Sequence, residues 1–490
     1  MSAVLSNITE TPLGGHHGSK LEKAPVGTKS SEGAKSRLNV TLERVLEGDG
    51  QGIPPALRSS PMAPLPSVRI SMDRYYKKEF IDLEVEHIWK KCWQLACRGE
   101  DIPNVGDRLT YDIVNLSFII VRTAPNTIKA FYNSCPHRGR RLCSRKETGI
   151  EGGNVLRCPF HAWTWNLDGS LEWVPSEEDF PHVSAKEYAL PEARVGIWGG
   201  NVFINPDPEA PSLEASLGGL PEMFRDHPLE QRYTVLHVRK KIRANWKLIQ
   251  EAFMEGYHVV ETHWDGMPFF GSAYSQYDNW DDGTAHYNRL VTPSVVPDVW
   301  IADKVSPEES ARQFCSTFGL PLPAEGSIRT VAEARHHCAV ERKKVIKATY
   351  GVDLSDRPHS QVLEMTKFFL FPNHHPWWGE ALPWWYRFMP YGDDPECGIM
   401  EVRVTAPLPP GGKRPPAATP IDIDFDTKCV DVPEMGVAGY IVDQDISNLL
   451  EIQKGVKAAA EDRAYMTLGR YQEKNIQHFH YVYNKLLGLP

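Results

Sequence analysis

The sequence predicts an α+β protein made of two folded domains, and three observations lead to that prediction. A chain of 490 residues is longer than one hydrophobic core usually serves. Short strand patterns separated by turn residues follow one another from 107 to 205. Helical and strand patterns then mix through 211–490, as in a domain whose helices cover an antiparallel sheet. We therefore expect a small antiparallel β domain at 61–210 and a larger α+β domain at 211–490.

The first 60 residues differ in composition from the rest of the chain. Ser, Gly, Lys and Pro are abundant there, and large apolar side chains are few. Such a segment buries too little apolar surface to offset the conformational entropy it would lose on folding. We expect a disordered tail over 1–60, in which only Asn39 to Leu46 has the pattern for a turn or two of helix against the body.

Periodicity predicts the elements that follow the tail. An apolar stripe predicts a helix within 70–93, and alternation with period two predicts strands from residue 107 onward. In the larger domain we expect a strand at 236–243 and a helix at 245–260. Further helices are predicted at 305–350 and 443–470, and further strands at 367–371, 385–389 and 399–405.

Composition excludes several classes of protein. Asp and Glu outnumber Lys and Arg by 63 to 54, and this net charge of −9 argues against a nucleic-acid-binding protein. No apolar run approaches the ~20 residues of a membrane helix, and the N-terminus lacks a signal-peptide pattern. Nine scattered cysteines do not suit a disulfide scaffold and favour a reducing compartment. We expect a cytoplasmic protein without a membrane or nucleic-acid partner.

Two loops of the small domain each pair a cysteine with a histidine. Cys135 and His137 share the first loop, and Cys158 and His161 share the second, after twenty intervening residues. Two thiolates and two imidazoles are the ligands of a [2Fe–2S] cluster in which one iron carries both histidines. The alternative is a structural zinc site, but the C-x-H and C-x-x-H spacings do not match the zinc-finger pattern.

A second set of candidate ligands lies in the segment EAFMEGYHVVETH of the predicted helix at 245–260. Glu251, Glu255 and His258 share one face at helical spacing. His263 follows His258 by five residues, roughly 140° around a helix, so the helix must end or bulge between them for both to reach one metal. Two histidines and one carboxylate suit oxygen-activating Fe(II), whereas the segment taken alone is also typical of a solvated helix face.

The motifs CPHRGRRLC and CPFHAWTWNLDGSL, followed by this histidine segment, resemble the Rieske non-haem iron oxygenases, large (α) subunits, from about 70 to 490. The resemblance implies a Rieske domain and a helix-grip-type catalytic domain. It implies a [2Fe–2S] cluster on the four loop ligands and mononuclear Fe(II) on His258, His263 and a later Asp. Within VDQDISNLLEIQKG, Asp445 is the matching residue and Asp443 the competitor, and both also suit the N-terminal end of a helix.

In the family a carboxylate bridges a Rieske histidine of one subunit and an iron-ligating histidine of its neighbour. Glu255 stands where many members have Asp, so the bridge would run from His161 through Glu255 to His258. Some oxygenases of quaternary amines, such as carnitine oxygenases, also carry Glu there. Glu251 stands where Asn is frequent, and we expect it either near the iron motif or paired with Lys247.

The resemblance also implies a reaction and partners. Electrons from NAD(P)H would arrive through a separate reductase or ferredoxin, and O₂ would hydroxylate, dihydroxylate or oxidatively dealkylate a small molecule. A homotrimer or a multiple of it is expected, and the sequence leaves open whether a small β subunit joins it. A non-catalytic electron-transfer protein and a zinc-stabilised binding protein are the alternatives, and the second ligand set argues against both.

Five aromatic residues close together bear on the substrate. They could line a pocket for an apolar or polycyclic molecule, form a cage for a quaternary ammonium, or simply pack in the core or at a subunit interface. The five are Trp377, Trp378, Trp384, Trp385 and Tyr386.

Overall fold

The computed structural model describes residues 42–58, 69–144, 152–263, 267–299, 301, 304–409 and 411–490. The helices are α1 Leu42–Gly48, α2 Lys78–Glu84, α3 Leu213–Leu217, α4 Leu220–Met223, α5 Trp246–Ala252, α6 Val259–Thr262, α7 Pro307–Thr317, α8 Val331–Tyr350, α9 Ser360–Leu363, α10 Val437–Ala458 and α11 Lys474–Leu487. The strands of the first half are β1 Ile70–Ser71, β2 Gln94–Arg98, β3 Arg108–Ile113, β4 Leu116–Ala124, β5 Thr127–Tyr132, β6 Val155–Arg157, β7 Thr164–Asn166, β8 Leu171–Trp173, β9 Glu192–Trp198 and β10 Asn201–Asn205. The remaining strands are β11 Arg232–Ile242, β12 Gln276–Asp281, β13 His286–Thr292, β14 Met365–Leu370, β15 His374–Trp378, β16 Trp384–Tyr391, β17 Asp394–Pro407, β18 Ile421–Ile423 and β19 Tyr465–Met466.

The small domain consists of two antiparallel sheets. Six strands lie in the order β2-β10-β9-β5-β4-β3, and three lie in the order β6-β7-β8. The predicted strands after residue 107 are confirmed, and their alternating side chains pack around buried residues such as Phe118 and Phe131. Where the chain enters and leaves this domain, the side-chain amide of Asn205 donates a hydrogen bond of 3.0 Å to the carbonyl of Lys91.

The larger domain is built on an eight-stranded sheet in the order β12-β13-β14-β15-β16-β17-β11-β18. Neighbouring strands are antiparallel except for β11 and β18, which run parallel. Helix α5 packs on β16 and β17, and α10 packs on α5. The mixed fold and its antiparallel sheets agree with the predicted α+β class. Within the described residues, no helix has the length and apolar character needed to cross a membrane.

The predicted helix at 245–260 is interrupted. Helix α5 ends at Ala252, and the short helix α6 begins only after His258. The carboxylate of Glu255 accepts hydrogen bonds from the backbone amides of Tyr257 and His258, and those amides are thereby withdrawn from helical bonding. The prediction that the helix ends or bulges between His258 and His263 was wrong, because α5 ends before both. The short helix α6 lies between the two histidines, with His258 as its N-cap residue and His263 as its C-cap residue.

The predicted disordered tail is wrong for residues 42–58, which the structure describes, whereas the helix expected within it is confirmed. Helix α1 buries Leu42, Val45 and Leu46 against the body, which is the turn or two of helix expected there. Its end is fixed by an ion pair of 2.7 Å between Asp49 and Arg335. Residues 1–41, 59 and 60 of the predicted tail lie outside the described residues.

Strand β1 belongs by its contacts to the larger domain, although the predicted boundary at 61 assigns it to the small one. It pairs antiparallel with β19, with Ile70 opposite Met466. Helix α2 continues this association, because its last residue, Glu84, forms a buried ion pair with Lys247 of α5. The segment before β2 therefore packs with the C-terminal half of the chain.

Candidate metal centres

The two Cys/His loops of the small domain have the same backbone form. Cys135 comes three residues after β5, and Cys158 follows β6 directly. Each loop closes with a hydrogen bond across four residues, from the Gly139 amide to the Cys135 carbonyl (2.8 Å) and from the Ala162 amide to the Cys158 carbonyl (2.9 Å). Gly139 and Ala162 both have a positive φ, +74° and +63°. The loops are thus a matched pair of tight turns.

The loops bring their four polar side chains together. Both cysteines are buried, and the rings of His137 and His161 lie 4.7 Å apart between centroids. The Nδ1 atoms of both histidines are buried and lack a hydrogen-bond partner among the described residues. Because unpartnered buried nitrogens are rare, two such Nδ1 atoms on loops that each also carry a buried cysteine fit the ligand set of a [2Fe–2S] cluster.

The surroundings of the loops support that fit. Burial lowers the pKa of His137, which favours the neutral imidazole that a metal requires. Burial raises the pKa of the Cys135 thiol, whereas hydrogen bonds from the amides of His137 and Arg138 oppose this rise. The His137 ring stacks on Trp163, with 5.0 Å between centroids and 2° between planes. Packing and amide donors thus fix the orientation of the candidate ligands.

A second site lies where α6 meets α10. One ligand atom from each of His258, His263 and Asp445 falls within a group of atoms no more than 4.8 Å apart. The Nε2 atoms of His263 and His258 lie 3.0 Å and 3.5 Å from the same carboxylate oxygen, Oδ1 of Asp445. Two imidazoles and one carboxylate grouped this closely are the ligand set of the non-haem Fe(II) triad.

Hydrogen bonds orient both imidazoles toward that space. Nδ1 of His258 is bonded to Oε1 of Glu255, and Nδ1 of His263 is bonded to Oε1 of Gln444 at 2.8 Å. A carboxylate or amide oxygen accepts from N–H, so in the neutral tautomer the proton lies on Nδ1 and Nε2 is the atom that could bind a metal. Burial lowers the pKa of His258, but the charges of Glu255 and Asp445 outweigh it and raise the pKa to about 9. The two carboxylates around His258 therefore stabilise a positive charge at this site.

The two candidate aspartates have different surroundings. The carboxylate of Asp443 accepts the backbone amides of Cys429 at 2.9 Å and Val430 at 3.0 Å. Asp445 instead faces the two histidines. The helix that carries both begins at Val437 and ends at Ala458, earlier at each end than the predicted 443–470. Neither residue lies at the helix N-terminus, so the interpretation as dipole-stabilising carboxylates does not hold.

Glu251 takes neither of the two expected arrangements, beside the iron motif or paired with Lys247. It is buried and accepts hydrogen bonds from the hydroxyl of Tyr75 (3.0 Å) and from Nε2 of His480 (2.8 Å). Lys247 forms its ion pair with Glu84 instead. Burial raises the pKa of Glu251 to about 8. The face of α5 that was predicted to direct carboxylates toward the metal therefore places Glu251 in a polar network with His480 of α11.

The aromatic residues of β15 and β16 divide between two faces of the sheet. Trp378 and Trp385 pack in the core beside α3 and α4, so packing accounts for them. Trp377 and Tyr386 lie on the other face, edge to face at 5.7 Å, and belong to the core that contains α5. Trp384 packs partly buried against this second group, with its ring centroid 6.1 Å from that of Tyr386. The second face alone adjoins the metal-binding elements.

Sequence reasoning missed three residues near this site. Gln444 could have been found as the helix neighbour of Asp445. Lys367 is a charged residue at an inward position of an apolar strand, KFFLF, and that contrast was a signal. Asn475 at the start of α11 carried none. All three are polar groups in contact with the site or the cavity beside it.

Two known protein families match the parts of the chain that contain these two sites. Residues 92–188 match the Rieske [2Fe-2S] domain, and residues 229–489 match the ring hydroxylating alpha subunit (catalytic domain). The chain belongs to the ring-hydroxylating alpha-subunit family. As a member of this family, the subunit combines the Rieske [2Fe–2S] domain with the catalytic domain of non-haem iron oxygenases, as predicted.

Individual relatives of this alpha subunit include monooxygenases and dioxygenases. The carnitine monooxygenase oxygenase subunit of Escherichia coli is 33% identical over 197 residues, 39% of this chain and 50% of the relative. The anthranilate 1,2-dioxygenase large subunit of Acinetobacter baylyi is 36% identical over 210 residues, 40% of this chain and 43% of the relative. The chain thus spans about half the length of the curated relatives it matches.

Solved structures share the fold of this subunit. A quaternary ammonium Rieske monooxygenase in complex with L-carnitine superposes with a TM-score of 0.57 at 18% identity, over 87% of this chain and 99% of the other. Naphthalene 1,2-dioxygenase from Rhodococcus sp. bound to indole gives 0.56 at 18% identity, over 86% and 94%. At this identity the likeness establishes the architecture of both domains.

Proposed function

We propose that this chain is the catalytic subunit of a Rieske-type oxygenase that hydroxylates, dihydroxylates or oxidatively dealkylates an apolar or aromatic small molecule. The convergence of His258, His263 and Asp445 to within 4.8 Å carries the proposal. A non-catalytic electron-transfer protein needs only the cluster, and it would not need a second ligand set with open coordination positions. Family membership supports the same conclusion.

We assign the cluster to Cys135, His137, Cys158 and His161, and the mononuclear iron to His258, His263 and Asp445. When bound, the cluster supplies single electrons and the Fe(II) supplies O₂ activation. The chain's own residues hold and orient the ligands. Glu255 and Gln444 keep both imidazoles with Nε2 toward the metal.

Glu255 is the proposed link between the two metal centres of neighbouring subunits. Its hydrogen bond to His258 is one half of the bridge. Tyr257, two residues on, is 62% exposed, so this part of the iron site lies near the surface. His161 lies against Phe160, which is itself 56% exposed, so the cluster also lies near a surface. Two metal sites near the surface support contact between subunits.

Partners and assembly follow from this arrangement. We propose a homotrimer or a multiple of it, supplied with NAD(P)H electrons by a ferredoxin or a ferredoxin reductase. Electron transfer between subunits is described for one solved quaternary ammonium Rieske monooxygenase of the same fold. All nine cysteines are free, which supports the cytoplasm as the compartment.

A second candidate is a monooxygenase acting on a quaternary amine. Glu at position 255 favours it, together with the similarity to carnitine monooxygenase. Both candidates share the metal sites and differ in the substrate and its product.

The test is metal analysis followed by product analysis. We expect about three irons and two acid-labile sulfides per chain, from one two-iron cluster and one mononuclear site. Isotopically labelled O₂, a compatible reductase and a panel of aromatic and quaternary amine substrates should then give a labelled product. A colourless zinc protein, or two irons without a third, would contradict the proposal.

A further inference from the structure

The N-terminal part of the described chain lies outside both family matches. We call residues 42–58 the N-terminal strap; it contains α1 and precedes the matched ranges 92–188 and 229–489. Apolar side chains of the strap share one buried cluster with residues of β13 and β14, and they are Leu42, Leu46, Ala56 and Leu57. The strap is therefore packed into the larger domain as an addition to the matched ranges.

A buried ion network fixes the middle of the strap. The carboxylate of Asp49 accepts two hydrogen bonds from the guanidinium of Arg335 on α8, at 2.9 Å from Nε and 2.7 Å from Nη2. Arg335 also pairs with Glu364, the residue that directly follows α9. The side chains of Asp49 and Arg335 are only 4% and 1% exposed. A bidentate pair of this kind fixes the plane of the guanidinium group as well as its position.

Arg335 and Glu364 together hold one residue by both of its backbone groups. Nη1 of Arg335 donates to the carbonyl of Ser294 at 2.7 Å, and Oε2 of Glu364 accepts the amide of Ser294 at 3.0 Å. Ser294 comes two residues after β13 and forms an isolated β-bridge with Phe270. Asp49 therefore reaches this bridge through a single arginine side chain.

The β-bridge leads to a proposed iron ligand. The amide of Phe270 donates to the carbonyl of Met267 at 3.2 Å, and the amide of Met267 donates to the carbonyl of His263 at 2.8 Å. Successive backbone contacts thus connect His263 with Ser294, the residue that Arg335 holds.

The other end of the strap is connected to the turn that carries Glu255. The side-chain amide of Gln276 on β12 donates to the carbonyl of Leu57 at 3.3 Å. The hydroxyl of the next residue, Tyr277, accepts the amide of Gly256 at 3.0 Å, and Gly256 directly follows Glu255. The strap is therefore connected to the segments on both sides of α6, the helix that lies between the two iron-binding histidines.

We propose that the N-terminal strap positions the histidines of the mononuclear iron site, and that Asp49, acting through Arg335, fixes the backbone at His263. This inference rests on the proposed function. Asp49 acts through another side chain, so it is a positioning residue and not a ligand. Without its carboxylate the guanidinium loses a bidentate partner and can turn away from Ser294. Loss of a group that orients metal ligands typically weakens metal binding about 10- to 100-fold.

Release of the mononuclear iron to a ferrous chelator, measured on the iron-loaded full chain, tests the inference. Asp49→Asn should release this iron at least about tenfold faster than the wild type, while the visible absorbance of the cluster stays unchanged. The EPR spectrum of the nitric oxide complex of this iron should also change in line shape, because the histidines are held differently. Each chain is measured well below its Tm, so that every chain is folded.

Asp101→Asn is the matched control. It also breaks a bidentate pair, with the buried Arg403 at 2.6 Å, but it lies outside the strap and the segments connected to it. This variant should lower the Tm to a similar extent and leave iron release unchanged. If Asp49→Asn does not fold, Asp49→Glu takes its place: it keeps the charge, displaces the carboxylate by one methylene and should still accelerate iron release.

A purely structural role of the strap predicts a different result. Unchanged iron release in a folded Asp49 variant, or equally fast release from Asp101→Asn, would overturn the inference. Loss of the cluster together with the iron would also overturn it, because the effect would not be specific to the histidines. A wild-type chain that never holds a third iron counts against the proposed function, whereas failure of the variants in a chain that holds it counts against the inference alone.

Discussion

Nε2 of His263 lies 3.0 Å from Oδ1 of Asp445, although 182 positions separate the two residues in the chain. The approach depends on two independent features, the end of α6 at Thr262, directly before His263, and the packing of α10 on α5. The hydrogen bond of Nδ1 to Oε1 of Gln444 orients the His263 ring so that its Nε2 faces Asp445.

Asp445→Asn should remove one of about three irons and leave the visible spectrum of the cluster, because a neutral amide is a poor substitute for a carboxylate ligand. Metal analysis and absorption spectra of the purified variant measure both. Asp443→Asn is the matched control, since that carboxylate accepts the amides of Cys429 and Val430 and interacts with the Cys429 thiol rather than with the histidines. It should keep all its iron and lose ~1 kcal/mol of stability. Bleaching of the cluster in Asp445→Asn would contradict the division of ligands.

Glu255→Gln should keep both metals and turn over at least about tenfold more slowly. Both carboxylate oxygens face N–H groups, one the imidazole of His258 and the other the amides of Tyr257 and His258. Either orientation of a glutamine amide therefore turns its NH₂ group against a donor. Steady-state rates and the ratio of product to O₂ consumed are the measurements.

Glu255→Asp is the informative companion to that variant. It keeps the charge but shortens the side chain by ~1.3 Å. If the longer side chain is matched to the spacing between subunits, Asp should also slow electron transfer from a reduced cluster. Unchanged turnover and unchanged coupling in Glu255→Gln would eliminate the bridging role.

Mixed oligomers should reveal transfer between subunits. A Cys158→Ser chain lacks a cluster ligand and a His263→Ala chain lacks an iron ligand, so each is expected to be inactive alone. Co-refolded or co-expressed mixtures should regain partial activity, since a cluster from one chain can serve the iron of another. Absence of recovery in oligomers shown to be mixed would indicate transfer within one chain.

The free energy of unfolding should decrease as the pH rises, because of Glu251. Its pKa is raised by burial from 4.5 to about 8, so its favourable contribution is complete below the unfolded value and is lost as the pH rises through about 8. Relative to Glu251→Gln, the wild-type chain should lose up to ~1.4 kcal/mol per pH unit between about pH 5 and about pH 8. Denaturant unfolding of both chains across this range is the measurement, and parallel curves would refute the expectation.

Regular elements were predictable where hydrophobic periodicity determines them. The strand expected at 236–243 coincides with β11 up to Ile242, and the one at 399–405 lies within β17. The interruption after Ala252 was not predictable, because it depends on a side chain competing with the helix for amides. Periodicity describes the average helix and does not reveal such local competition.

For the site, motif resemblance indicated candidate ligands but not their surroundings. Nothing in the spacing of Glu251 shows that Tyr75 and His480, from distant parts of the chain, would surround it. Choosing between Asp443 and Asp445 likewise needed the amides of residues 429 and 430, which only the folded chain brings close. Long-range partners are set by packing, so they remain invisible to local patterns.

The hydrogen bond between Asn205 and Lys91, together with the pairing of β1 with β19, makes the small domain an insertion. The catalytic fold is one module interrupted near residue 91 and resumed near residue 205. The insert nevertheless shares one buried apolar cluster with its host, in which Ala96 and Phe118 meet Trp246 and Phe369. The cluster domain is therefore inserted in sequence but continuous with the catalytic fold in packing, and its removal would expose the apolar surface of its host.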